Sequence, residues 1–137
     1  MSKGQNTGMA GEFAVMEKLF RLGHQASLTL GNAKTVDIFT KSPSGKIYQV
    51  SVKAIRGGGK WGVGITDYSP EVSLIFVLLH YAAFDNLQTH PGVWVVPARD
   101  VMRLRRPWIG GAYAVYCGSK AEQASIEQYK DAWHLFE

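Results

Sequence analysis

The large apolar residues of this chain come in short blocks, and the spacing inside the blocks changes along its length. Over residues 8–22, Met9, Phe13, Met16, Leu19 and Phe20 recur at helical spacing. This predicts a helix that buries that face, with Gly23 as its terminator. Beyond it the period shortens to two. Segments 25–30, 35–41 and 46–55 read as strands, and Pro43, Ser44 and Gly45 turn the second into the third as a hairpin. The glycine-rich stretch 57–64 predicts a flexible loop. Segments 72–81 and 93–96 are apolar almost without interruption, the pattern of strands covered on both faces. Pro97 stops the second of these, 98–104 predicts a short helix, and 112–117 a further strand. Ser119 with Glu122 forms a capping box that opens a last helix ending near Trp133. The predicted order is αβββ, a loop, then ββαβα. That describes a single α/β domain whose mixed sheet is flanked by helices.

Composition narrows the class. The 137 residues, 46% apolar and 19% charged, suit a globular domain with a real core rather than a disordered chain. A lone Cys117 rules out an internal disulfide and a thiolate zinc site, and predicts a buried structural thiol. The first residues are polar and the longest apolar run, around 74–79, is too short for a membrane helix, so the expected location is cytoplasmic. A formal charge of +4 favours a polyanionic partner, because clustered cations gain by releasing counterions from phosphates.

Three polar intrusions into apolar segments are the candidate chemistry. Glu12 lies one turn before Met16, toward the expected apolar face, where a lone carboxylate needs a partner, water or a site. Asp37 interrupts the strand-like Thr35, Val36, Ile38 and Phe39, against strand propensity. In the third strand Gln49, Ser51 and Lys53 share one face, while Tyr48, Val50, Val52 and Ala54 share the other. A rim glutamate, a solvent-facing edge aspartate and an amphipathic strand with one wet face would account for these residues singly. Together they have the parts for phosphodiester hydrolysis: carboxylates for a divalent metal, and a cation near the scissile phosphate.

At these positions the chain resembles the PD-(D/E)XK nuclease superfamily, whose restriction-endonuclease-like core begins αβββ. The matching residues are Gly11 and Glu12 on the first helix, Val36, Asp37 and Ile38 on the second strand, and Val50, Ser51, Val52 and Lys53 on the third. The resemblance implies Asp37 as the central metal ligand, Glu12 as the supporting helix acid and Lys53 as the catalytic lysine. It implies Mg²⁺ or Mn²⁺ as cofactor, Lys34 as a phosphate contact, nucleic acid (DNA first) as partner, and a homodimer. Ser51 stands where the family has Asp or Glu. A hydroxyl is a far weaker Mg²⁺ ligand, so cleavage is expected to be impaired or lost unless Glu12 or the amide oxygen of Gln49 compensates. An active endonuclease with such compensation, and a protein-interaction module presenting Trp61 and Trp108, are the alternatives.

Other signals add less. The run Gly57, Gly59 and Gly62 has dinucleotide-loop spacing, but Val63, Gly64, Ile65 and Thr66 make a poor helix start. His24, His80, His90 and His134 have no zinc-site spacing. Lys60 and Trp61 on the glycine stretch, and Arg99, Arg103, Arg105 and Arg106 beside Trp108, are candidate contacts for a nucleic-acid strand. A solvated helix end explains the arginines equally well.

Overall fold

The structure, a computed structural model, describes residues 1–29, 36–64 and 73–137. Helix α1 spans Lys3–Arg21 and starts five residues before the predicted position. Its start is set by Ser2 and Gln5, which form a capping box, and its end by Gly23 at φ +82°. The buried stripe is Thr7, Gly11, Val15 and Leu19. Phe13 and Phe20, expected in the core, are 57% and 54% exposed, and Met9 also faces solvent. The cause is close approach: a Cβ on Gly11 would lie 2.8 Å from the Ala54 Cβ, so only small side chains fit that seam.

The main sheet is five-stranded in the order β1-β2-β3-β5-β6. Its strands are β1 (Gln25–Leu28), β2 (Ile38–Lys41), β3 (Ile47–Ile55), β5 (Leu74–His80) and β6 (Gly92–Pro97). The first three are antiparallel neighbours, β3 and β5 run parallel, and β6 returns antiparallel. The predicted hairpin is therefore present, and the sheet is mixed.

Strand β5 explains its own apolar run. Ile75, Val77 and Leu79 pack with Val15, Leu19, Val50, Val52 and Phe136 under α1. Leu74, Phe76 and Leu78 pack on the opposite side with Trp61, Val63, Val96, Val115 and Ile126. That second core is covered by α2 (Ala98–Leu104), α3 (Lys120–Ile126) and a three-stranded sheet, β4-β8-β7, made of β4 (Lys60–Gly64), β7 (Arg106–Pro107) and β8 (Tyr113–Tyr116).

The glycine stretch corrects the expected loop: its second half is strand β4, paired with β8. Trp61 is fully buried and its Nε1–H donates to the Leu79 carbonyl at 2.9 Å. It therefore cannot stack on a nucleic-acid base or form a partner surface. The last helix is also shorter than predicted. After Ile126 the chain continues as 3₁₀ turns Glu127–Tyr129 and Trp133–Phe136, because Lys130 bridges to Trp94 and Asp131 takes φ +51°. The break lets Phe136 enter the core under α1, where its carbonyl meets His24 Nε2 at 3.0 Å.

Candidate active site at the open edge of the third strand

Pairing between β2 and β3 ends at Ile38 and Val50, and β3 runs five residues further with no described neighbour on that edge. Asp37 stands at the divergence. Its N–H donates to the Val50 carbonyl at 2.8 Å, and its Oδ2 accepts the Val52 N–H at 2.7 Å. The carboxylate thus takes the place of the carbonyl that would have continued the ladder, which fixes the side chain. Extended by one position, the register puts Asp37 opposite Ser51, on the face that Lys53 shares two residues on. Ile38, Val50 and Val52 turn the other way, into the core under α1.

Glu12 reaches this edge from α1. Because Gly11 lets the helix rest on Val52 and Ala54, the turn carrying Glu12 is held beside the unpaired part of β3. Arg56 ties the same helix down farther along, donating from Nε to Thr7 Oγ1 at 2.6 Å with its guanidinium over the Phe84 ring. Glu12 is half-buried. Burial, and then the charge of Asp37, push its carboxyl above the ordinary carboxylate range, while the Lys53 ammonium pulls it back down. The three groups named from the sequence therefore share one electrostatic neighbourhood. Neither the Val52 N–H nor Arg56 stood out in the sequence, since both act through contacts made only after folding.

The sign of the Glu12 shift makes a prediction. A carboxyl with a folded-state pKa above its unfolded value of 4.5 holds its proton more tightly in the folded protein. Its contribution favours folding at low pH and is lost as pH rises through the folded value. Glu12→Gln is therefore expected to raise the Tm of the metal-free protein at neutral pH, with the gap from wild type closing as pH falls below 4.5. Melting curves in EDTA across that range check it; a lower Tm at neutral pH would contradict the shift.

The remaining candidates divide. Ser51 is only 1% exposed, and Gln49 lies in the paired part of β3 opposite Phe39, two residues back from the opening. Lys34 lies outside the described residues. Among the described residues, no three of His, Cys, Asp and Glu gather as a metal cluster. The donor set at the edge is two carboxylates, which fits Mg²⁺ or Mn²⁺, ions that keep several waters and take one or two carboxylates plus substrate phosphate oxygens. Cys117 is buried, and burial followed by the Glu122 charge pushes its thiol up, away from thiolate chemistry.

The arginine cluster is partly engaged within the protein. Arg99 and Arg103 each approach Asp100 at 3.9 Å, and Arg103 also donates to the Tyr129 hydroxyl at 2.7 Å. Arg106 pairs with Glu122, and Arg105 lies 4.0 Å over the Tyr113 ring. No helix among the described residues is long and apolar enough to cross a membrane.

Comparison with solved structures places this architecture. A bacterial homing endonuclease, I-Ssp6803I, superposes with a TM-score of 0.64 over 98% of this chain and 93% of its own, at 15% identity. The chain has a nuclease-like α/β fold. At that identity the likeness concerns the fold alone. No family model and no curated protein matches the sequence.

Proposed function

We propose that the protein binds nucleic acid, DNA first, on a PD-(D/E)XK nuclease-like framework, and that its metal-dependent phosphodiester cleavage is impaired by Ser51. The observation that carries this is the Asp37 carboxylate held by the Val52 N–H where β3 loses its β2 neighbour, one residue before Lys53 on the strand; the charges of Asp37 and Lys53 also act on Glu12. The nuclease-like fold supports it.

Asp37 and Glu12 would hold a Mg²⁺ or Mn²⁺ ion, which supplies Lewis-acid polarisation of the phosphate and a more acidic water. Asp37 has Oδ2 committed to Val52, so Oδ1 is the oxygen left for a cation. Ionised Glu12 adds a second negative charge, which burial first and the Asp37 charge second oppose in the metal-free protein. Lys53, fixed on the same strand face as Ser51, places an ammonium where charge accumulates on a phosphate in displacement. Ser51 contributes no charge, so metal affinity rests on two acids rather than three.

The test is plasmid nicking with Mg²⁺ or Mn²⁺ by wild type, Lys53→Ala and Ser51→Glu. Weak nicking by wild type, lost in Lys53→Ala, is expected; nicking that survives in Lys53→Ala would sink the assignment. Ser51→Glu buries a carboxylate at a site only 1% exposed, so it should lower the Tm in EDTA and regain stability on adding Mn²⁺. Calorimetric Mn²⁺ affinity should rise in step. Unchanged affinity would mean that Ser51 and Asp37 do not converge on one ion.

A further inference from the structure

We infer that the outer face of the β4-β8-β7 sheet is a docking platform for unpaired nucleic acid, where a base stacks on Trp108 while Lys60 meets a flanking phosphate. This deepens the nucleic-acid reading above and rests on it, but it concerns a surface separate from the Glu12, Asp37 and Lys53 edge.

The distribution of charge points to this face. Lys60 and residues 99–122 carry six Lys and Arg against Asp100 and Glu122. The rest of the chain is formally neutral, nine basic residues against nine acidic, so the excess of +4 is carried by Lys60 and the stretch 99–122 that contains β7 and β8. A polyanion is the partner that such an asymmetry favours.

The aromatic geometry identifies what kind of polyanion. Trp61, Val63 and Val115 turn inward to the second core, which leaves Lys60, Gly62 and Tyr116 on the outer face. Trp108 lies across Gly62: a Cβ there would lie 3.0 Å from the indole Cζ3, so a larger residue would push the ring off the strand. The indole remains 42% exposed, with the Lys60 ammonium 5.3 Å from its centre. Lys60 is the register partner of Tyr116, whose ring carries the Arg106 guanidinium at 4.3 Å. The result is a surface on which the Lys60 and Arg106 cations lie beside the Trp108 and Tyr116 rings. Duplex DNA buries its base faces and offers such a surface only phosphates. An unpaired strand offers both phosphates and ring faces, and it takes up aromatic platforms of this kind.

The experiment measures fluorescence anisotropy of labelled oligothymidylate and of a duplex of equal length, in EDTA, with the whole chain. Trp108→Ala is expected to weaken single-strand binding about ten-fold or more and to leave duplex binding nearly unchanged, whereas Trp108→Phe retains most of the affinity. Gly62→Val, which lifts the ring, should weaken single-strand binding in the same direction. Lys60→Ala should lower the slope of log affinity against log salt by about one. Wild-type binding to neither oligonucleotide would overturn the nucleic-acid reading, and the platform with it. Wild-type binding that Trp108→Ala and Lys60→Ala leave untouched would overturn the platform alone. Equal loss on single strand and duplex in Trp108→Ala would overturn base stacking.

Discussion

Asp37→Asn is expected to reduce metal-dependent nicking by at least about 100-fold while leaving the fold in place. The asparagine keeps an oxygen able to accept the Val52 N–H and nearly the same volume, so the junction where β2 leaves β3 stays satisfied. Only the charge disappears. Without it a divalent ion has Glu12 as its one anionic ligand, and Mn²⁺ binding by calorimetry should fall with the nicking. The same substitution has a readout that no fold change imitates. Because the Asp37 charge helps to raise the Glu12 carboxyl, removing it should bring Glu12 back toward its ordinary range in a carboxyl titration followed by NMR. Preserved nicking, or a Glu12 titration that does not move, would show that these acids do not share a site.

Trp61→Ala should cost about 3–5 kcal/mol of folding stability, enough to leave a marginal domain largely unfolded. The side chain is fully buried in the second core, lies against the Trp94 ring at a centroid distance of 5.3 Å, and donates to the Leu79 carbonyl. Truncation opens a cavity and removes the indole hydrogen bond to that carbonyl. Trp61→Phe keeps most of the volume and loses the hydrogen bond, so a smaller loss of about 1–2 kcal/mol is expected. Urea melts followed by far-UV dichroism separate the two. A Trp61→Ala protein as stable as wild type would contradict the burial and restore Trp61 as a candidate surface contact.

Much of the architecture was legible along the chain because it depends on near neighbours. Period-two alternation set Gln49, Ser51 and Lys53 on one face of the third strand, and carrying the β2–β3 register one position past Ile38 and Val50 sets Asp37 opposite Ser51. Pro97 marked the helix Ala98–Leu104, and Ser119 with Glu122 marked the start of α3. The capping pair Ser2 and Gln5 carried the true start of α1, although the apolar spacing drew attention to Met9.

What failed depended on partners far away in sequence. Side-chain size pointed to Met9, Phe13 and Phe20 as the buried face of α1, yet the helix approaches β3 so closely at Gly11 and Ala54 that the bulky residues are turned out. Glycine density marked 57–64 as loop, yet Gly59 rests against Gly118 and Cys117 N–H donates to the Gly59 carbonyl, so the segment joins a sheet. Counting arginines pointed to a free cationic cluster, whereas Asp100, Glu122 and Tyr129 engage several of them.

By itself, then, the sequence determined the strands of the main sheet, its hairpin turn and the excess of positive charge, and it named the residues of the candidate cleft. Each of these follows from local periodicity, capping or simple counting. Tertiary structure alone decided which face of α1 is buried, that Trp61 is core while Trp108 is surface, and that the charges of Asp37 and Lys53 act on Glu12. Those outcomes depend on close packing across the sheet, where one absent Cβ sets how near two elements can lie.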